Sequence, residues 1–220
     1  GDIFYWFVKT FMPEFPGRSY RYFEKQAEKL KPGESGLLAL DWHNGNRTIL
    51  VDQKLTGLIL GFTLTTRPFE VYRTLIEATA FGARVIIDRL EEYGVKVSEI
   101  ITGGGIAEKS PFLMQIYADV TGRNFRISAS SQNCALGAAI FGAMAAGPKK
   151  TGLASVARAQ EKLCHFKTVV YRPNQQHHQM YNRLYALYRK LHDSFGTRTG
   201  SENLYVVMKE LLALKGKSHG

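Results

Sequence analysis

The chain has 220 residues, a formal net charge of +10, 45% hydrophobic and 22% charged residues. A globule of this length buries roughly 70% of its unfolded surface, and the composition is that of an ordinary folded domain, which excludes disordered and fibrous classes. No apolar stretch reaches the length of a membrane span. The two cysteines, Cys134 and Cys164, are too few for a disulfide framework and lack metal-ligand spacing, so a reducing cytoplasm is the expected setting.

In chain order, residues 1–31 read as two aromatic-rich helical segments, IFYWFVKTF and SYRYFEKQAEKL, separated by Pro13, Pro16 and Gly17. KPGESG is a turn cluster. GLLALDW and GLILGFTL read as buried strands, with RTILVD as a short strand between them. A long helix follows, capped by Thr66, with Pro68 in its first turn and an end near Gly94. Val71, Leu75, Ala78, Gly82 and Val85 share one face of it. Glu77 sits mid-helix in a structural position, within reach of Arg73 or Arg84.

VSEIITGGG is then a strand running into glycine. Ser110 and Pro111 form the N-cap and first residue of a helix that stops at Gly122. NFRIS is a further strand and CALGAAIFGAMAAG a further helix. From about 175 to 214 two more helices are expected, broken near 196–200. His177 and His178 are adjacent and cannot share one helix face, which argues against a metal site there. The alternation of strands and helices predicts an α/β layer, organised as a helical segment (1–35), an α/β core (36–147) and a helical tail (148–220).

The stretch GGGIAEKSPFLMQIYADVTG carries the chemistry. A strand, a glycine turn and a helix N-terminus make an anion site, because glycines let backbone N–H groups approach phosphates and the helix dipole favours negative charge. It is not a P-loop: counting from Gly103, Glu108 stands where the second glycine of G-x-x-x-x-G-K-S belongs. The dinucleotide fingerprint G-x-G-x-x-G fails at the same residue. A plain tight turn accounts for the glycines equally well on this stretch alone.

The order of elements, together with LKPGESGLLALDWHNGNRTILVD, LTGLILGFTL, IEATAFGARVIID, the glycine stretch and ALGAAIFGAMAAG, resembles the C-terminal domain of the FGGY carbohydrate kinases. The DWHNGNR run is most like the branch that phosphorylates L-ribulose. The resemblance implies an α/β fold of the actin-like ATPase (ribonuclease H-like) class, a mixed sheet with flanking helices. It implies ATP and Mg²⁺ as cofactors and a sugar substrate, and transfer of the γ-phosphate of ATP to a ketopentose. It also implies a missing partner, the protein's own N-terminal, sugar-binding kinase domain, which holds the catalytic base upstream of Gly1; a homodimer is a further expectation.

By the same resemblance, Gly104 and Gly105 approach adenosine or its phosphates, and Gly103 belongs either to that site or only to the turn. Ser110 aligns with a polar position that contacts adenine, beside its role as N-cap. Asn44 and Gly45 align with a second loop approaching the phosphates, or form a simple hairpin turn. Ala135 and Gly137 either let a base stack close or let helices pack. Asp41, at a strand end, either reaches Mg²⁺ through water or has no metal role, so the metal ligands are left open. His43 stands where that branch usually has an aromatic residue. Cys134 is not a nucleophile, and the N-terminal aromatics serve packing. The competing readings are a kinase for xylulose, glycerol or gluconate, a non-catalytic actin-like nucleotide module, and a basic nucleic-acid binder. No nucleic-acid motif accompanies the scattered basic residues, and neither a nucleic-acid nor a membrane partner is expected.

Overall fold

The structure, a computed structural model, describes residues 1–13, 19–197 and Leu214. Helix α1 (Asp2–Tyr5) runs into a wider π-helical turn, Trp6–Phe11. Helix α2 (Tyr20–Ala27) starts at Ser19, whose hydroxyl accepts from the Tyr22 N–H at 3.0 Å. Of the expected separators, Pro16 and Gly17 lie outside the described residues. Phe4, Phe7 and Phe23 of these segments face inward, whereas Tyr5, Phe11 and Tyr20 are exposed; Phe7 meets Phe23 edge-on at 5.3 Å, and Phe23 stacks on Tyr72 at 5.6 Å.

Strand β1 (Leu38–Leu40) pairs antiparallel with β2 (Leu58–Leu60), Leu38 opposite Leu60. The strand expected at RTILVD does not form. Asn46 and Asp52 instead exchange two backbone hydrogen bonds of 2.8 Å, so the chain doubles back between them. Ile49 and Leu50 pack on the core from this loop, so their apolar character reflects core contact without a neighbouring strand.

Helix α3 (Pro68–Glu92) is the axis of the molecule. Its cap is Arg67 and not Thr66: the Glu70 carboxylate accepts from the Arg67 N–H at 2.6 Å, while the Thr66 hydroxyl accepts from Thr63 N–H in the preceding turn. Strand β3 (Glu99–Thr102), helices α4 (Gly105–Lys109) and α5 (Pro111–Thr121), and strand β4 (Asn124–Ser128) form a parallel crossover. Helices α6 (Asn133–Ala146), α7 (Pro148–Thr151) and α8 (Val156–Leu163) lead to β5 (Phe166–Tyr171), antiparallel to β4. The mixed sheet has the order β3-β4-β5, so residues 148–220, expected to be helical, contribute a strand. Helix α9 (Gln175–Gly196) follows, and the second tail helix expected past it falls outside the described residues.

The main core cluster takes buried side chains from Phe4 to Leu191, so the first and last segments pack into the same interior as the middle, while Ile140, Leu153 and Ala159 form a separate small cluster around α6 and α8. Helix α9 is fastened by its first turn. The Asp119 carboxylate accepts from the Asn174 N–H at 2.8 Å and lies 2.9 Å from His177 Nδ1, and His178 Nδ1 lies 2.7 Å from the Asp119 carbonyl. The adjacent histidines therefore serve as anchors, both reaching one residue of α5.

A buried polar cluster joins α2, α3 and α9. Arg73 Nε donates to Glu77 Oε1 at 2.7 Å, and its two NH groups donate to the Ala27 and Leu30 carbonyls (3.0 and 2.7 Å) and to the Tyr181 hydroxyl (2.9 Å). Tyr181 donates in turn to Glu77 at 2.9 Å. Of the two partners considered for Glu77, Arg73 is the one bonded; Arg84 donates to the Val120 carbonyl at 2.9 Å. Burial opposes the Arg73 charge, but Tyr181 and Glu77 beside it raise its pKa above the ordinary value, so it stays a cation. Removing one member strands the others. Arg73→Ala is expected to lower unfolding free energy by about 3–5 kcal/mol and Tyr181→Phe by about 1–3 kcal/mol. Urea denaturation checks both, and an Arg73→Ala loss below about 1 kcal/mol contradicts the assignment.

Candidate nucleotide site

Strand β3 delivers the chain into Gly103, Gly104 and Gly105, and α4 opens at once. Gly104 has φ +98° and ψ 169°, a region essentially reserved for glycine. Its carbonyl accepts from the Glu108 N–H at 3.2 Å, which starts the helix. Ser110 then caps α5, its hydroxyl accepting from the Leu113 N–H at 3.2 Å. Gly103 and Gly105 are exposed and Gly104 is half-buried, so the turn lies open.

Beside it is a cavity of about 830 Å³ in which Gly105, Lys109 and Ser110 face Tyr20, Arg21 and Glu24 of α2. Its volume lies within the usual range for small-molecule sites. Arg21 and Lys109 are exposed cations at its edge, Tyr20 and Phe4 supply aromatic surface, and burial raises the Glu24 carboxyl pKa against the opposing hydrogen bond from Ser110. This set can take a planar base on the rings and a polyanion on the cations and the start of α4. Ser110 is 4% exposed; its oxygen accepts in the cap and its hydroxyl hydrogen bonds toward Glu24, so it forms wall more than free donor.

The other expected residues lie elsewhere. Gly103 lines a separate cavity of about 870 Å³ with Asn133, Leu136 and Gly137. A Cβ on it would fall 1.7 Å from Asn133 Nδ2, so this glycine admits the start of α6 against the sheet. Ala135 is exposed on α6 and lines none of these cavities. Asn44 and Gly45 line a third cavity, of about 460 Å³, with Asp41, Trp42, Tyr188 and His192. Gly45 has φ +73°, and a Cβ there would meet Gln53 Cα at 2.6 Å, so the turn itself demands glycine. His43 packs its ring 5.0 Å from Trp6. Tyr20, Arg21 and Lys109 were not singled out by sequence, because no local spacing links α2 to a turn more than eighty residues later; Lys109 was read only against the P-loop pattern.

Asp41 is held in its cavity by the Tyr188 hydroxyl, which donates to Oδ1 at 3.3 Å. Among the described residues no group of three or more His, Cys, Asp or Glu is placed to hold a metal ion, and Asp41 lines none of the cavities that hold Gly103 or Gly105. Also among them, no helix is long and apolar enough to cross a membrane.

The architecture is that of solved sugar kinases. A gluconate kinase from Lactobacillus acidophilus superposes with a TM-score of 0.78 at 22% identity, over 91% of this chain and 39% of that one. A xylulose kinase from Rhodospirillum rubrum gives 0.72 at 24%, over 90% and 39%. At such identity the likeness defines the fold, the actin-like ATPase class. The sequence narrows it. Residues 1–146 match the C-terminal domain of the FGGY family of carbohydrate kinases. A ribulokinase of Halalkalibacterium halodurans is 47% identical over 100% of this chain and 39% of its own length, and one of Geobacillus thermodenitrificans 48% identical over 89% and 36%. The chain belongs to the FGGY family of carbohydrate kinases, and it spans about two fifths of the length of these relatives.

Burial raises the Asp41 pKa from 3.8 to about 6, with its backbone and Tyr188 hydrogen bonds opposing the shift. The folded chain then holds this proton more tightly than the unfolded one. The group's contribution to stability is full below about pH 4 and is lost as pH rises to about 6, by up to about 3 kcal/mol. Asp41→Asn is expected to remove that slope. Urea titrations should show the variant gaining stability relative to wild type between about pH 4 and about pH 7, and a flat difference contradicts the shift.

Proposed function

We propose that this chain is the nucleotide-binding half of an ATP-dependent sugar kinase that transfers the γ-phosphate to a ketopentose, L-ribulose. The observation that carries the reading is the open cavity joining Gly105, Lys109 and Ser110 to Tyr20 and Arg21. The names of the ribulokinase relatives support the sugar.

Phosphoryl transfer is mostly positioning and charge neutralisation. On this reading the glycine turn lets the nucleotide approach the backbone, Arg21 and Lys109 offset phosphate charge, and the rings hold the base. Mg²⁺ would supply further neutralisation across the phosphates; none of its ligands is assigned to residues described here. The base that deprotonates the sugar hydroxyl is likewise placed on the N-terminal domain.

That domain is the partner the surface calls for. Strand β3 ends the sheet, bonded to β4 on one side only among the described residues. Ile101 on it is 57% exposed and Phe141 66%, with Ile86, Leu90 and Ile106 also exposed. An unpaired edge carrying apolar side chains needs a cover, and the relatives' additional length offers one.

Gly105→Val separates binding from folding, since no heavy atom lies within 4 Å of an added Cβ at this position. Calorimetric titration with ADP is expected to show affinity reduced at least about tenfold with the urea midpoint little changed. Lys109→Ala should weaken binding and flatten its salt dependence. Wild-type ADP affinity in a folded Gly105→Val chain contradicts the site. The chain alone is expected to phosphorylate no L-ribulose; measurable product contradicts placing the base elsewhere.

A further inference from the structure

The acid nearest in sequence to the glycine turn is directed away from the cavity beside it. Gly105, Ile106, Lys109 and Ser110 line that space, yet Glu108, among them in the chain, does not. Its backbone is fixed, because its N–H donates to the Gly104 carbonyl at 3.2 Å. Its carboxylate lies 3.3 Å from Lys167 Nζ, with the Glu108 side chain 23% exposed and that of Lys167 42%. Lys167 belongs to β5, which is bonded to β4 and not to β3. The pair therefore ties the short helix after the turn to the far strand of the sheet.

The sheet is irregular where it delivers this lysine. Strand β5 pairs with β4 at Val170 opposite Arg126 and at Phe166 opposite Ser128, with a shift of register between them, so Lys167 sits in the irregular stretch. Bulges of this kind re-aim side chains and are common beside functional sites. The neighbouring cation is engaged elsewhere: Arg126 pairs with Glu99 at 3.7 Å and lies 3.9 Å over the Phe166 ring. Residues three apart on a helix are neighbours, so a released Glu108 side chain can swing to the side of Gly105. There it would bring a negative charge towards Lys109 and Arg21, the cations that suit a polyphosphate. A part-exposed ion pair contributes little to stability, so a role in the charge balance of the cavity explains this arrangement better than a role in folding.

We propose that Lys167 is a positioning residue for the nucleotide: by pairing with Glu108 it holds that carboxylate away from the phosphate end of the cavity, the end marked by Arg21 and Lys109. The proposal rests on the nucleotide reading of this cavity and adds to it a residue that does not line the space.

Lys167→Met keeps an unbranched side chain and removes its charge. Calorimetric titration of the full chain with ADP is expected to show affinity lowered about three- to tenfold, with the urea midpoint little changed. Adding Glu108→Gln to that variant should restore wild-type affinity, since the acid that repels the phosphates is gone, and Lys167→Arg should keep it. The loss should shrink between about 50 mM and about 500 mM salt, as screening weakens the freed charge; a packing defect would not respond in this way. If Lys167→Met does not fold, Lys167→Gln takes its place, and failure of both to fold overturns the proposal, because the lysine then serves the fold. Wild-type ADP affinity in a folded Lys167→Met chain, or a loss that Glu108→Gln does not restore, overturns it and leaves the nucleotide reading standing. A wild-type chain that binds no ADP overturns both.

Discussion

The guanidinium of Arg73 is the constraint on which the arrangement depends. It lies inside α3, bonded to Glu77 four residues on, and reaches outward to two carbonyls at the end of α2 and to Tyr181 of α9. A buried charge with this many donors tolerates little displacement of its acceptors, because each lost bond leaves a desolvated group behind. The last turn of α2 is thereby pinned against α3. The first turn of the same helix carries Tyr20 and Arg21, which face Gly105 and Lys109 across the cavity. A structural charge on one element thus sets the position of a cavity wall on another.

The opposite wall follows from backbone chemistry. Strand β3 is held in parallel register by β4, Ile100 opposite Phe125, so the turn leaves the sheet at a fixed point. Gly104 adopts a conformation that side chains disfavour, and Ser110 restarts the helix as its cap. The chain can therefore go from strand to helix without closing over the turn, and Gly105 remains exposed. The surrounding cations suit a polyphosphate in a chain of net charge +10.

Much of this was legible in the sequence where a pattern is local. The apolar face of α3, the Ser110-Pro111 cap, the stop at Gly122 and strands β3 and β4 each have a residue-level signature that packing then reinforced. What escaped had no such signature. Helix α4 is a single short turn beginning with glycine. Strand β5 pairs with β4 across three helices, and its exposed middle residues gave no buried face to read. RTILVD looked strand-like because Ile49 and Leu50 are core contacts, yet its hydrogen bonds close a loop. The candidate glycines are spread in the same way: Gly45, Gly103 and Gly105 line different cavities, while the residues that face Gly105 come from a helix far away in the chain. The resemblance to the FGGY kinases, by contrast, was carried by ordered motifs over most of the length, and the match of residues 1–146 to the family bears it out.

The central claim is that purine nucleotide occupies the space between α2 and the glycine turn. Photolabelling the chain with 8-azido-ADP and mapping the modified peptides tests it most directly. The account predicts saturable labelling, displaced by ADP, within residues 20–27 or 105–113. Labelling confined to residues 41–53, or labelling that ADP does not displace, would contradict it.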